Sequence, residues 1–144
     1  MTPDLLAAYQ NADYVVLGKM SGPPEFVLRI GEASRRLDAL LEAGEASTAA
    51  FITAANPRGE RRSAAENQPG VVALNDLLVG SGYPLYPGEG RDPEGRWTPE
   101  PSVLVIGIYR DNAEALGRLF GQNAIVFVEK GRAPELIVLN WRHA

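Results

Sequence analysis

The chain has 144 residues and 15.5 kDa, with 45% hydrophobic and 22% charged residues, which fits one domain around one sizeable core and is too apolar for intrinsic disorder. It has no cysteine and a single histidine, His143, so disulfides and thiolate chemistry are excluded, and a Ser-His-Asp triad or histidine-rich metal site is disfavoured. A formal charge of -4 and a pI near 5.0 disfavour non-specific binding to DNA or membranes but leave room for a local basic site.

Thr2-Pro3 followed by Asp4 predicts a helix start, with Thr as N-cap, Pro at the first helical position and an acid in the first turn. Residues 1–10 lack the basic start of a signal peptide and no apolar run reaches membrane-spanning length, so a cytoplasmic protein is expected. Tyr14–Leu17 and Phe26–Ile30 read as a hairpin turning through 18–24. Leu37, Leu40 and Leu41 recur at helical spacing, and Gly44 is placed to end that helix in a left-handed conformation. Ala49–Ala54 reads as a strand stopped by Asn56-Pro57. Ser63-Ala64-Ala65-Glu66 is a capping box, and Val71, Leu74 and Leu78 continue its apolar stripe, with Pro69-Gly70 predicted to kink or restart the helix.

Residues 80–101, rich in Gly and Pro yet carrying Tyr83, Tyr86 and Trp97, read as one long loop of the kind that serves as a lid or binding surface. Ser102–Ile108 is apolar enough for a central strand covered on both faces. Asp111 and Glu114 open a helix that Gly121 closes, and Ala124–Val128 and Glu135–Leu139 form a final hairpin. The expected fold is a single α+β domain over residues 1–144: one mixed β-sheet of about five to seven strands with three to four helices packed on it.

Four polar groups stand at element ends. Thr53 and Asn56 lie at a strand tip beside Arg58, Arg61 and Arg62, a setting able to hold a phosphate or carboxylate or simply to form a turn. Ser63, Glu66 and Asn67 follow at a helix start; Glu66 is explained by capping, whereas a buried Asn67 needs a partner because an unpaired amide costs about 1–3 kcal/mol. Trp97, Glu100 and Ser102 mark the exit of the long segment, with Glu100 held between Pro99 and Pro101. Gln122 and Asn123 close a helix, satisfying its open carbonyls or facing a ligand. Glu66, Glu89 and Glu100 are oxygen ligands of the kind magnesium takes, but their spacing has no motif behind it, so no metal is assigned and the cofactor is left open.

Thr53-Ala54-x-Asn56-Pro57, Ser63-x-x-Glu66-Asn67, Trp97-x-x-Glu100-x-Ser102 and Leu119-Phe120-Gly121-Gln122-Asn123-Ala124 occur in that order. In this the chain, from about Tyr14 to Leu139, resembles the bacterial domain of unknown function family numbered 3293. The resemblance implies a small single-domain protein and brings no activity with it; the Pro69-Gly70 pair departs from the continuous helix it implies.

Two readings of function follow. In the first, the polar groups converge on one pocket for a polar small molecule, with anionic and nucleotide-like ligands among the options. Thr53, Asn56, Arg58, Ser63 and Asn67, with Trp97, Gln122 and Asn123, would bind it. Glu66 and Glu100 would supply any acid–base chemistry. In the second, the domain is a protein-interaction or regulatory module that docks through the aromatics of residues 80–101. Nucleic-acid binding would need Arg58, Arg61, Arg62, Arg91 and Arg96 on one surface and is disfavoured by the net charge; the oligomeric state is open.

Overall fold

A computed structural model describes residues 1–18 and 25–139; the turn expected over 18–24 falls largely outside them, and His143 lies outside altogether. The elements in chain order are α1 (Pro3–Asn11), β1 (Asp13–Val16), β2 (Phe26–Leu28), α2 (Arg35–Ala43), β3 (Thr48–Thr53), a single 3-10 turn (Pro57–Gly59), α3 (Ala64–Gly80), β4 (Leu85–Arg91), β5 (Glu100–Ile106), α4 (Arg110–Leu119), β6 (Ala124–Glu129) and β7 (Glu135–Val138). The seven strands form one sheet in the order β2-β1-β4-β5-β3-β6-β7. The α+β class, strand number and helix number agree with the sequence.

The sheet is antiparallel at every pairing rather than mixed. The helical connections skip a strand: α3 carries the chain from β3 past β5 to β4, and α4 from β5 past β3 to β6, so each lands on a strand that runs the same way as the one it left, with an antiparallel strand between them. Because side chains alternate across a strand, each strand divides its residues between two cores. One face collects Leu28, Leu37, Leu41, Phe51, Leu104 and Val126, and Trp97 packs against it. The other collects Ile52, Leu74, Leu78, Val103, Ile108 and Phe127, covered by α3 and α4.

α1 and α3 start where their caps predict, and α2 carries a further cap at Ser34. Thr2 Oγ1 accepts from Leu5 N–H at 3.1 Å, Ser34 Oγ from Leu37 N–H at 3.1 Å, and Ser63 and Glu66 form the reciprocal capping box. Three local expectations are corrected. Gly44 has φ -88° and is not left-handed; Glu45, at φ 53°, takes that conformation, and Ala46 N–H closes onto Leu41 O at 2.9 Å in a Schellman-like end. Pro69 does not restart α3: it forgoes the bond to the carbonyl of Ala65, both residues are exposed, and the helix runs on through Asn75, whose amide donates to Val71 O at 2.9 Å.

The third correction is the largest. Residues 80–101 are not one loop, because β4 lies within them at the centre of the sheet, between β1 and β5. Pro87 is tolerated there because it faces the end of β1: its carbonyl accepts from Leu17 N–H at 2.9 Å, and only the reciprocal bond is missing. Tyr83, Tyr86 and Trp97 are half-buried, Tyr83 against one core and the other two against the opposite one.

Gly88 of β4 is required by close approach. A Cβ there would stand 2.7 Å from both the Phe51 ring and the Val15 carbonyl oxygen, and the latter is backbone that cannot yield. At Gly90 the nearest atom would be 3.9 Å away, an ordinary contact. Urea denaturation should therefore show Gly88→Ala destabilised by about 1–3 kcal/mol, as overpacked sites are, while Gly90→Ala stays close to the parent chain.

Candidate functional site

The site is built around the tip of β3. Thr53 ends the strand, its hydroxyl donating to Pro101 O at 2.6 Å and accepting from Ala55 N–H at 3.0 Å. Three residues on, Asn56 turns left-handed at φ 48°, a conformation that asparagine tolerates better than most residues. Asn67, buried in α3, holds it there. Its Oδ1 accepts from Asn56 N–H at 2.8 Å and its Nδ2 donates to Asn56 Oδ1 at 3.1 Å. Arg62 N–H donates to the same Oδ1 at 2.9 Å. The Asn56 amide is thereby oriented with its Nδ2 toward β5, where it donates to Glu100 Oε2 at 2.6 Å.

Strand alternation sets the rest. Thr53 pairs with Ser102, and Gly90 with Glu100, so Phe51, Thr53, Glu100, Ser102 and Gly90 share one face at one end of the sheet. α1 lies over that face, and between them is a cavity of about 110 Å³. Its apolar walls include Leu5, Tyr14, Phe51, Trp97 and Val126; its polar side is Thr53, Asn56, Arg61, Glu100, Ser102 and Gln122. The tyrosines also belong to the wall. Tyr14 donates its hydroxyl to Tyr9 O and packs edge-on against Phe51 at 5.4 Å, while Tyr9 hydrogen-bonds Asn123; burial raises the pKa of both phenols.

Most of the polar lining is already committed. Both roles of the Thr53 hydroxyl are filled, Ser102 Oγ donates to Glu100 O at 2.9 Å, and Gln122 Nε2 donates to Ala55 O at 3.1 Å and Phe120 O at 3.3 Å. Two charged groups keep free capacity. Glu100 Oε1 accepts no hydrogen bond among the described residues, and Arg61 forms no salt bridge among them. Burial raises the pKa of Glu100, against the opposing effects of the Asn56 hydrogen bond and the Arg61 charge.

Of the residues singled out in the sequence, Thr53, Asn56, Trp97, Glu100 and Gln122 thus line one cavity. Asn67 stands behind Asn56 as its support. Asn123 lies at the α1 side through Tyr9, beside Gly59. Ser63 and Glu66 are exposed and bonded to each other, outside the cavity; those bonds hold the Glu66 carboxyl below its usual pKa. Arg58 is fixed in the 3-10 turn, its N–H donating to Gly121 O at 2.6 Å, and does not line the cavity. That contact needs Gly121: its φ is 71°, and a Cβ would stand 2.9 Å from Pro57 Cβ. The residues that sequence reasoning missed are Tyr9, Tyr14 and Gly90. A strand with two glycines two apart, Gly88 and Gly90, was the available signal, since both fall on one face and leave it bare.

The fold and site together define an antiparallel α+β domain with a small, polar-sided hollow under its first helix. The chain belongs to the family described as protein of unknown function (DUF3293), whose sequence model matches residues 52–125, a narrower span than the resemblance suggested. That span contains Asn56, Asn67, Trp97, Glu100 and Gln122 but not Tyr9 or Tyr14. No curated protein and no solved structure matches the chain.

Two outcomes follow from this geometry. Asn67→Ala leaves the Asn56 N–H without its partner and should cost about 1–3 kcal/mol in denaturant unfolding. For Glu100, a folded-state pKa above the unfolded one means that the folded chain holds this proton to higher pH; its contribution is complete below the ordinary value of 4.5 and is lost as pH rises through the raised value. Glu100→Gln should therefore be more stable than the parent at neutral pH, with the difference closing in acid, as read from urea midpoints across the pH range.

Proposed function

We propose that this chain is a small-molecule-binding domain, whose ligand rests an apolar skeleton against Tyr14, Phe51 and Trp97 and presents a hydrogen-bond donor to Glu100. One observation supports this above the others: a half-buried carboxylate with an unused oxygen stands at the polar side of an otherwise apolar hollow. Burying a carboxylate costs free energy that hydrogen bonding must offset, and here one of its two oxygens is left for an incoming group.

Size limits the occupant. A cavity of about 150 Å³ takes up benzene, and this one is about 110 Å³, so its occupant is at most a single ring or a short carbon chain and not a whole nucleotide. Glu100 is also the one carboxylate positioned to move a proton on such a ligand; Glu66, the other carboxylate considered, lies outside. The alternative, a docking surface on the aromatics of residues 80–101, gains no support from side chains that are half-buried against opposite cores.

A thermal-shift screen of single-ring metabolites, nucleobases and sugars tests the proposal. A ligand at a hundred times its Kd adds about 2.7 kcal/mol of stability, several degrees in Tm for a domain of this size. The shift should vanish in Gly90→Val, which fills the floor, and shrink in Glu100→Gln. A hit that shifts both variants as it shifts the parent would place its site elsewhere and overturn the proposal.

A further inference from the structure

The hollow under α1 has a neighbour. Arg61 and Trp97 line both it and an open basin of about 540 Å³, whose other walls are Arg91, Arg96 and the turn through residues 92–99. Asp92, the basin's one lining carboxylate, is fully engaged. It accepts from Arg96 Nε at 2.8 Å, Arg96 N–H at 2.9 Å and Glu94 N–H at 3.1 Å, and those bonds pull its pKa down to about 2. Arg91 is paired with Glu89 at 2.8 Å, and Arg96 with Asp92 and Glu94. Of the three arginines that line the basin, Arg61 is the one with no salt bridge among the described residues, and it lines both hollows. Glu89, Asp92 and Glu94 thus offset Arg91 and Arg96, and the charge left without an ion pair in the basin's wall is that of Arg61.

We infer that the two hollows form one bipartite site, resting on the small-molecule reading, for a compact ring with a hydrogen-bond donor at one end and an oxyanion, carboxylate or phosphate, at the other. The ring enters the inner cavity past Trp97, the donor meets Glu100 Oε1, and the oxyanion stays outside on Arg61. Size separates the two parts: the inner cavity has room for the ring and none for a hydrated anion beside it. Charge points the same way. Such a ligand gives Glu100 and Arg61 a partner each, whereas a neutral one leaves Arg61 unmatched, and the planar guanidinium fork suits carboxylate and phosphate alike. The arginine that holds the anion is then Arg61, rather than Arg58 or Arg62 beside the strand tip.

Isothermal titration with aniline, 4-aminobenzoate and 4-aminophenyl phosphate at matched low ionic strength tests this. These probes share a ring and a donor and differ in the anion. At least one anionic probe should bind roughly tenfold or more tightly than aniline. Which of the two is preferred separates a carboxylate ligand from a phosphate. Arg61→Met should bring that probe to the level that aniline shows in the same variant, and added salt should narrow the preference in the parent chain. Aniline binding with no preference for either anion, or a preference that survives Arg61→Met, overturns the bipartite site and leaves the inner cavity standing. If none of the three binds, both readings fall.

Discussion

The hydrogen bond from Asn56 to Glu100 joins the two halves of the site, and its geometry depends on a backbone conformation that few side chains accept. Asn56 sits left-handed at the end of β3, pinned through its own N–H by Asn67 and through its Oδ1 by Asn67 and Arg62. Those three bonds leave the Nδ2 no free rotation, so it meets Glu100 at 2.6 Å in a fixed direction. An aspartate could accept at Oδ1 but could not donate to a carboxylate, and a glycine would keep the turn and lose the link. One amide therefore fixes the start of α3, the tip of β3 and the carboxylate on β5 relative to each other.

The hollow itself arises from what β4 lacks. A central strand would ordinarily cover the sheet face with alternating bulky side chains. β4 presents Gly88 and Gly90 there instead. Gly88 lets the Phe51 ring lie across the strand, and Gly90 leaves the space that Glu100 Oε1 faces. α1 then roofs the gap with Leu5, Ala8 and Tyr9 rather than with a close-packed stripe. Local departures from good strand chemistry are expected where a scaffold makes room for something, and here they coincide with the one half-buried carboxylate of the cavity lining.

How much of this the sequence carried differs by element. The caps at Thr2 and Ser63 and the apolar strands β3, β5 and β6 were legible, because each depends on residues within a few positions of one another. β4 was not: Pro84, Pro87, Gly88 and Gly90 weigh against a strand locally, and pairing on both sides through β1 and β5 overrides them. The grouping of Thr53, Asn56, Trp97, Glu100 and Gln122 was legible as polar residues at element ends, a pattern that antiparallel alternation turns into a shared face. Ser63 and Glu66 belonged to the same pattern for the bland reason, since a capping box uses up both side chains. Tyr9 and Tyr14 left no trace of their role, because a tyrosine on an amphipathic helix and one in a strand both read as ordinary core.

The polar lining thus divides into residues that the fold consumes and residues it does not. Thr53, Ser102 and Gln122 donate to main-chain carbonyls, and Asn67 bonds both the backbone and the amide of Asn56, so each is accounted for by satisfying buried groups. Glu100 is different. A neutral amide at position 100 could accept the same bond from Asn56, so nothing in the scaffold calls for ionisation there, and burial opposes it. Arg61 is the mirror case, a cation in the lining whose charge acts on Glu100 and whose guanidinium serves no salt bridge among the described residues. A carboxylate whose ionisation burial opposes and a cation with no ion pair among the described residues thus line the same small hollow, and Arg61 and Trp97 are the residues through which it meets the open basin.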